Sequence, residues 1–300
     1  MTSPLPKPIY MDYDQAALDA QYDNQRHVAG ARAIIDRYGV VSARARDAFP
    51  ARLDIPYGPS PRERLDVILP ANLFGALPIS IFVHGGAWRL LSKTENTFPA
   101  LGLCPAGAIV VVAGFNLATE VPLARMVTEV RDLVAWVYRH AQDFGGDPNR
   151  IFLSAHSSGA HLAAMAATTR WSETHGLPDD IVKSAVLVSG VYDLEPVRLS
   201  YRNTMLKLDP DTARQLSPIA QAPRPGLKVD VLCAANDTTE FRRQSRVLAE
   251  RWEERGAVCT FQECEGRNHY DLVLDLADPS SALVARCLDQ MGLRRGAPIA

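Results

Sequence analysis

The decisive stretch of this sequence is Ser154-Ala155-His156-Ser157-Ser158-Gly159-Ala160-His161, which follows the apolar run Ile151-Phe152-Leu153 and precedes an alanine-rich stretch. The pattern predicts a buried strand that turns sharply into a helix at Ser157. Such a turn lifts a serine hydroxyl clear of the backbone, where it can attack a carbonyl carbon. Ala155 replaces the first glycine of the common G-x-S-x-G pattern, whereas Gly159 keeps the second.

A pair of glycines occurs earlier, in His84-Gly85-Gly86-Ala87-Trp88, directly after the β-branched run 78–83. The backbone N–H groups of Gly85 and Gly86 are not covered by side chains, so they can stabilise the oxyanion of a tetrahedral intermediate. The N–H of Ser158, the residue after the predicted nucleophile, is the third expected donor. A glycine turn that only closes a strand is the alternative for this motif, and its combination with the serine turn favours the oxyanion role.

The middle and C-terminal parts of the chain alternate between apolar segments and helical patterns. Residues 122–144 and 241–255 carry apolar side chains at helical spacing. Because continuous apolar strands that alternate with helices are typical of a parallel sheet covered on both faces, we predict a mostly parallel, twisted α/β sheet. Its predicted strands are 79–83, 108–113, 151–154, 185–189 and 229–234.

Three further segments frame this sheet within a single predicted domain, 1–300. Residues 12–49 show helical spacing and predict an N-terminal helical arm that lies over a pocket. Residues 51–55 and 63–69 alternate like an antiparallel strand pair at the sheet edge. Residues 194–225 are rich in proline and poor in regular patterns, so they predict a small cap over the active site.

The composition excludes several classes of partner. Lys and Arg number 32 against 34 Asp and Glu in 300 residues, so no basic block points to nucleic acid. The longest apolar stretch, 106–115, is about half of what a membrane span needs. The start of the chain, 1–4, lacks the charged and apolar regions of a signal peptide, which predicts a cytoplasmic protein.

The cysteines and histidines do not form a metal-binding pattern. The five cysteines are an odd set in a long chain, which predicts reduced thiols. Cys259 and Cys264 have C-x4-C spacing without a second half-site, so buried apolar cysteine is the favoured interpretation. His156 and His161 lie five residues apart and would not share a helical face. We expect no metal and no cofactor.

A serine nucleophile needs a base within hydrogen-bond reach and a carboxylate that orients this base. In a sheet of this kind the expected chain order is serine, acid, histidine, with the last two on loops after late strands. Asp237 meets the condition for the acid because it follows the predicted strand 229–234. His269 meets the condition for the base, since it follows the strand-like residues 259–263.

Other residues compete for these roles. Asp193 follows the strand that ends at Ser189 and is an alternative acid, although its setting also suits a helix cap. Glu240 lies three residues after Asp237 and is expected to support the first turn of its helix. His84 and His156 adjoin the expected site, but we expect their rings to point away from the serine.

With these residues in place, the chain resembles the α/β-hydrolases of the H-G-G-x-W group. More narrowly, it resembles the bacterial kynurenine formamidases (arylformamidases) and related carboxylesterases. The resemblance covers most of the chain, and the narrower match depends mainly on the opening segment and on the E-F-x-R-Q-S run. The matching segments are 13–22, 84–88, 116–122, 145–150, 158–162, 189–194, 240–245 and 268–270.

The resemblance implies that Ser157, Asp237 and His269 form a catalytic triad, with Gly85, Gly86 and Ser158 as the oxyanion hole. It implies hydrolysis of an amide or ester, most narrowly removal of a formyl group from an aromatic amine. Where relatives often have an aromatic residue, this chain has Ala87, which reshapes the acyl side of the pocket. The candidates for an aromatic substrate pocket are Trp88, Phe115, Tyr192 and Tyr201.

Two other functions remain open at this point. A carboxylesterase for short acyl esters would use the same three catalytic residues with different pocket walls. A non-hydrolytic member of the fold would bind a small ligand without turnover and would be marked by a broken triad, which the sequence does not show. The only expected partner is a small-molecule substrate, and the sequence leaves the oligomeric state open between a monomer and a homodimer.

Overall fold

The structure, a computed structural model, describes residues 7–72 and 74–294. The prediction about a signal peptide at 1–4 falls outside the described residues. The described strands form one eight-stranded sheet. In chain order they are β1 (Ala51–Pro56), β2 (Arg64–Ile68), β3 (Leu77–Val83), β4 (Ile109–Ala113), β5 (Gly146–His156), β6 (Val182–Val188), β7 (Lys228–Ala234) and β8 (Val258–Cys264).

The sheet is parallel from β4 to β8 and antiparallel at one edge. Its order is β1-β2-β4-β3-β5-β6-β7-β8, and both the β1/β2 and the β2/β4 pairings are antiparallel. All five residues of β4 are buried, as expected for a central strand covered on both faces. The predicted α/β-hydrolase architecture, including the antiparallel N-terminal edge, is therefore confirmed.

Two hydrophobic clusters lie on opposite faces of the sheet. Ile79 and Ile81 of β3 belong to the first cluster, whereas Phe82 belongs to the second, because successive strand residues point to opposite faces. The first cluster includes Val130 and its neighbours on the predicted helix 122–144, and the second includes residues near both ends of the chain, such as Leu288. Burying each such side chain stabilises the fold by about 1.5–3 kcal/mol.

Thirteen α-helices occur among the described residues. They are α1 (Gln15–Gln21), α2 (Asn24–His27), α3 (Ala31–Ala48), α4 (Ala100–Leu103), α5 (Leu123–His140), α6 (Ser158–Ala167), α7 (Trp171–His175), α8 (Glu195–Leu199), α9 (Asn203–Leu206), α10 (Pro210–Gln215), α11 (Thr239–Glu254), α12 (Asp271–Leu274) and α13 (Ala282–Met291). Short 3-10 turns cover Thr94–Asn96, Cys104–Ala106, Ala141–Phe144, Pro218–Ala220 and Asp275–Ala277.

The long helices lie close to their predicted bounds. The predicted helix 122–144 is α5, which ends at His140, followed by a tighter 3-10 turn that ends at Gly145, whose φ is 84°. The predicted helix 241–255 begins two residues earlier, after the extended residue Thr238. The segment 12–49 contains three helices, and Gly30 (φ 72°) separates the long α3 from α2.

The segment 194–225 leaves the sheet and packs against the N-terminal helices. It contains α8, α9, α10 and the 3-10 turn Pro218–Ala220. The Gln15 side chain donates a hydrogen bond to the Leu199 carbonyl at 3.1 Å, and the Tyr201 amide donates to Asp19 at 2.7 Å. These contacts join the two segments across one end of the sheet.

The carboxyl ends of the central parallel strands meet at the same edge of the sheet, and polar residues follow each of them. β3 leads into the glycine pair, β5 into Ser157, β6 into Ser189, β7 into the Asp237 loop, and β8 into the His269 loop. Open α/β sheets carry their binding sites at this edge. The topology therefore brings together residues that lie far apart in the sequence.

Candidate active site

Ser157 sits in a strained turn between β5 and α6. Its φ of 53° and ψ of −126° are unfavourable for a residue with a side chain, at a cost of about 1–3 kcal/mol. The turn requires Gly159, because a Cβ atom there would lie 2.2 Å from the Val83 carbonyl oxygen. Ala155 lies in the strand itself and is completely buried in the first hydrophobic cluster, so its extra methyl group is accommodated there.

Ser157, His269 and Asp237 form a continuous hydrogen-bonded chain. His269 Nε2 lies 3.0 Å from Ser157 Oγ, and His269 Nδ1 lies 2.7 Å from Asp237 Oδ1. The carboxylate accepts a hydrogen bond from Nδ1–H, which leaves Nε2 free to accept the serine proton. All three side chains are buried. The structure therefore brings together the three residues that the sequence singled out.

The second oxygen of Asp237 is held by two further donors. Asp237 Oδ2 accepts a hydrogen bond from Ser189 Oγ at 2.6 Å and from the Ala234 amide at 2.9 Å. Burial alone would raise the pKa of Asp237, but the charge and hydrogen bond of His269, together with these donors, lower it below its ordinary value. The acid therefore stays ionised beside the imidazole.

The N-terminal arm braces the loop that carries Asp237. Thr238 Oγ1 donates to the Gln21 carbonyl at 2.8 Å, and the Glu240 amide donates to the Gln21 side chain at 3.1 Å. Glu240 is itself buried and paired with Arg243 at 2.6 Å, so its role is structural. The alternative acid Asp193 accepts instead from Tyr10 and from the Glu195 amide, and it does not contact His269.

His156 holds the backbone of His269. Its Nε2 lies 2.8 Å from the His269 carbonyl oxygen, and the two rings lie 5.0 Å apart. Burial lowers the pKa of His156 to about 3, so the ring is neutral and donates this hydrogen bond. We expected the His156 ring to point away from the serine, but it packs against the ring of the catalytic base, and His156 is among the residues that line the active-site cavity.

The His84 ring packs in the interior, next to the glycine motif. Its Nδ1 donates to the Gly85 carbonyl at 2.7 Å, and its ring stacks on Phe115 with centroids 4.5 Å apart. Burial lowers the pKa of His84 to about 4. The ring is therefore a neutral part of the interior.

The glycine motif contributes Gly86 and Ala87 to the cavity, rather than both glycines. A Cβ atom on Gly85 would lie 3.0 Å from Ser157 Cβ, so Gly85 packs behind the serine and does not line the cavity. Ala87, with φ 54°, follows Gly86 (φ 120°) along the cavity wall. Within the described residues, the amides of Gly86, Ala87 and Ser158 find no acceptor. The sequence did not suggest the Ala87 amide as a hydrogen-bond donor, because we considered this residue only for its effect on the shape of the pocket.

A cavity of about 430 Å³ opens onto Ser157 and His269. Residues of the arm, the glycine motif and the segment around Tyr201 line it: Asp23, Asn24, Gln25, Arg32, Ile35, Asp36, Tyr38, Gly39, Gly86, Ala87, Arg89, Leu90, Leu91, Glu95, His156, Tyr201, Arg202 and Tyr270. A larger cleft of about 840 Å³ lies between α3 and residues 267–279, and it does not reach the serine. The smaller cavity is the one that a substrate of Ser157 must enter.

One of the four predicted aromatic pocket residues lines this cavity. Tyr201 does so, whereas Trp88, Phe115 and Tyr192 lie in the interior. Trp88 Nε1 donates to His161 Nδ1 at 3.3 Å, so its ring packs under the serine turn rather than beside the substrate. The cavity instead has Tyr270, which follows the catalytic histidine and whose ring lies 5.1 Å from it.

The described residues contain no group of three or more His, Cys, Asp or Glu side chains that could hold a metal ion. All five cysteines are free thiols. None of the helices in 7–72 and 74–294 is long and apolar enough to cross a membrane.

Comparisons with known proteins show which proteins this chain resembles. The BD-FAE family model matches residues 65–198. The kynurenine formamidase of Danio rerio is 35% identical over 83% of this chain and 85% of its own length. Esterase LipQ of Mycobacterium tuberculosis is 28% identical over 81% of this chain and 64% of its own length.

A solved structure supports the same assignment. A Silicibacter sp. TM1040 protein, described only provisionally as a thioesterase, superimposes with a TM-score of 0.77 at 28% identity, over 89% of this chain and 97% of that chain. The protein is thus a hydrolase of the α/β-hydrolase fold with formamidase and esterase relatives. Its identity to the Danio rerio enzyme over most of both chains shows that it belongs to the kynurenine formamidase family.

Proposed function

We propose that this protein is a serine formamidase that releases formate from an N-formyl aromatic amine. Ser157 is the nucleophile, His269 the general base and Asp237 the residue that orients the base. The observation that carries this proposal is the Ser157–His269–Asp237 chain, with contacts of 3.0 and 2.7 Å beneath an open cavity. A family relative of the chain carries the name kynurenine formamidase.

The reaction proceeds through a formyl-enzyme. His269 Nε2 takes the Ser157 proton as Oγ attacks the formyl carbon, and the resulting imidazolium is stabilised by Asp237. His269 then gives this proton to the leaving amine nitrogen, and the C–N bond breaks. Water enters, loses a proton to His269 and attacks the formyl ester, which releases formate and restores Ser157.

Backbone amides stabilise the negative charge of the tetrahedral intermediate. Gly86, Ala87 and Ser158 have amides without an acceptor among the described residues, and all three adjoin Ser157 in sequence or across the cavity. Donors that are already oriented stabilise the developing charge without reorganisation, and one such donor contributes roughly 100- to 1000-fold in turnover. The positive φ angles of Gly86 and Ala87 hold these amides in place.

The cavity suits a small acyl group joined to a larger amine. Gly86 and Ala87 are the small residues beside Ser157, whereas Tyr201 and Tyr270 supply aromatic surface farther along the wall. A formyl group needs almost no room, so nearly the whole cavity is available to the aromatic amine. Aromatic rings that pack against each other contribute about 0.5–1.5 kcal/mol beyond their burial.

The Ser157→Ala variant tests the nucleophile. With N-formylkynurenine as substrate, we expect kcat to fall on the order of a millionfold, because the triad acts as a unit. Ser154→Ala is the matched control. Ser154 is a buried serine of β5 whose Oγ lies 3.2 Å from Ser80 Oγ, so its hydrogen-bond partner is outside the triad. Retention of more than a few per cent of turnover in Ser157→Ala would refute the assignment.

A carboxylesterase is the second candidate, and the similarity to esterase LipQ favours it. It would use the same three residues on a short acyl ester. The two functions are separated by kcat/KM for N-formylkynurenine and for p-nitrophenyl acetate, measured on the same preparation. A clear preference for the formamide supports the formamidase, and turnover of the ester alone supports the esterase.

The setting of the enzyme is also part of the proposal. Five free thiols fit a reducing compartment, so we propose that the enzyme acts in the cytoplasm. We also propose that its partner is a small-molecule substrate and that it uses no metal or cofactor. Detection of the native enzyme in cytoplasmic rather than exported fractions tests this. Light scattering of the purified protein distinguishes a monomer from a homodimer.

A further inference from the structure

Arg202 lies in the wall of the active-site cavity without an acidic partner. Its Nε donates to the Tyr22 carbonyl at 3.2 Å, and its Nη2 donates to the same oxygen. Its guanidinium also lies 5.6 Å from the centre of the Tyr201 ring. No carboxylate among the described residues forms an ion pair with it. A partly buried cation is thus held by one carbonyl oxygen and one aromatic face.

A second cation lies close to Arg202. Burial lowers the pKa of Arg202, and the positive charge of Arg89 acts in the same direction. Arg89 lines the same cavity, is exposed, and has no acidic partner in the described part of the chain. Two unneutralised guanidinium groups therefore face the space that a substrate enters, and both keep their charge because arginine does not deprotonate in proteins.

The carboxylates of the cavity are already engaged. Asp36 pairs with Arg32 at 3.0 Å, and Asp23 accepts the Arg26 amide at 3.2 Å as a helix cap. Glu95 accepts the Ser92 amide at 2.9 Å and the Ser92 hydroxyl at 2.6 Å. Asp36 thus has a partner of opposite charge, whereas Asp23 and Glu95 are bound by neutral donors. Arg202 and Arg89 have no carboxylate partner among the described residues, so their guanidinium groups are available to an anionic group of a substrate.

We propose that Arg202 anchors a carboxylate-binding subsite, assisted by Arg89 at the rim, so that the enzyme prefers substrates whose leaving group carries a carboxylate. The inference rests on the proposed function in one respect. A formyl group has no side chain, so any group that reaches Arg202 must belong to the leaving amine. Arg202 is suited to this role because a planar guanidinium binds a carboxylate through two parallel hydrogen bonds.

The subsite connects with the catalytic histidine through Tyr270. Burial raises the pKa of Tyr270, and the positive charge of Arg202 opposes this effect in part. The Tyr270 ring packs against His269. Arg202, Tyr270 and His269 line the same cavity of about 430 Å³, so a carboxylate bound at Arg202 would share this cavity with the base. The substrate must therefore be an aryl amine whose acidic group and scissile nitrogen fit together in this space.

The test uses two pairs of substrates that differ in the carboxylate alone. The first pair is N-formylkynurenine and its decarboxylated analogue N-formylkynuramine, and the second pair is 3-acetoxybenzoate and phenyl acetate. For each pair the ratio of kcat/KM, acid over neutral, is measured in the wild type and in variants. Because the ratio is internal to one preparation, loss of folded protein cancels.

We expect the ratio to exceed one in the wild type and to fall about 10- to 100-fold in Arg202→Gln. Arg202→Lys keeps the charge but loses the paired hydrogen bonds, so its ratio should fall less than that of Arg202→Gln, by about three- to tenfold. Arg89→Gln should lower it by only about two- to fivefold, because its charge is exposed and screened. Arg32→Gln is the matched control, an arginine of the same cavity that has an acidic partner, and it should change the ratio less than twofold.

The outcomes separate the subsite from the reaction. If formamides are not cleaved but esters are, the formamidase proposal fails and the ester pair alone decides the subsite. A ratio of one or less in the wild type overturns the subsite, as does a ratio that Arg202→Gln leaves unchanged. If Arg202→Gln is inactive, the ratio in Arg202→Lys decides, and its collapse toward one would count against a charge-based site.

Discussion

The two halves of the active site are built in different ways. The catalytic residues stand on the ends of β5, β7 and β8, where the sheet fixes the backbone and the side chains reach one another over about 3 Å. The substrate cavity is instead assembled from the arm, the glycine motif and the segment around Tyr201, which meet only in three dimensions. The chemistry therefore depends on one rigid element, whereas specificity depends on the packing of several.

The largest effect should come from the sheet-borne half. Asp237→Asn keeps the shape of the acid but no longer holds His269 in the tautomer that accepts the serine proton, so we expect kcat to fall roughly 10,000-fold with little change in KM. Steady-state kinetics on the preferred substrate measures this. Asp193→Asn is the control, because Asp193 contacts Tyr10 instead of the base, and it should cost less than about threefold. Equal losses in both variants would contradict the assignment of the acid.

Glycine substitutions should distinguish the tight region from the open one. Gly159→Ala forces a Cβ atom to within 2.2 Å of the Val83 carbonyl oxygen, and we expect it to lower the free energy of unfolding by about 3 kcal/mol. Gly39→Ala lies in the middle of α3 with no atom within 4 Å of the new methyl group, so it should raise stability by about 0.5–1 kcal/mol. Urea unfolding of both variants checks the signs, and a stabilised Gly159→Ala would overturn the packing argument.

Acid should lower the stability of the fold through three buried histidines. Burial lowers the pKa of His84 and His161 to about 4 and that of His156 to about 3, from an ordinary value of 6.5. The unfolded chain therefore binds these protons first as the pH falls. The stability is full above pH 6.5 and decreases below it by up to about 1.4 kcal/mol per histidine and pH unit.

The His161→Gln variant isolates one of these three contributions. Urea unfolding between pH 7 and pH 5 should show a slope about one third smaller than that of the wild type. His140→Gln serves as the control, since His140 is exposed and pairs with Asp143 at 2.8 Å on the surface. An unchanged slope in His161→Gln, or a stability that rises on acidification, would exclude this explanation.

The smallest effect on turnover is expected at Gln21, where the N-terminal arm contacts the loop that carries Asp237. Gln21→Ala removes the acceptor of the Glu240 amide, which should cost about 1 kcal/mol of stability and lower kcat by a few-fold, because the acid loop loses a brace. Gln15→Ala removes a comparable contact of the same helix to the Leu199 carbonyl, away from Asp237. It should lower stability without lowering kcat. If kcat is the same in both variants, the arm does not position the acid.

The same division explains what the sequence could predict. Each triad residue follows an apolar strand in the expected order, so strand ends and chain order were sufficient to select Ser157, Asp237 and His269. Ser189 escaped notice because its role depends on the adjacency of β6 and β7, which periodicity alone does not reveal. Antiparallel pairing at the edge was readable because β1 and β2 are joined by a short turn.

The cavity could not be predicted in this way. Tyr192 and Phe115 look like pocket residues in the sequence, yet the sheet and helices enclose both of them. Tyr270 and Arg202 line the cavity beside the N-terminal arm, where the Tyr38 hydroxyl donates to the Tyr270 carbonyl and Arg202 donates to the Tyr22 carbonyl, and no local pattern encodes such contacts. An aromatic residue near a catalytic motif is therefore weak evidence for contact with substrate.

The N-terminal arm contacts both the acid loop and the substrate cavity, and this has an evolutionary consequence. Gln21, at the end of α1, supports the carboxylate loop, while residues 23–39 that follow it form a wall of the cavity. Wholesale exchange of this segment between homologues would thus alter turnover and substrate range together. Single changes on the inner surface of α3, at Ile35 or Gly39, offer directed evolution a way to shift selectivity while leaving the reaction machinery intact.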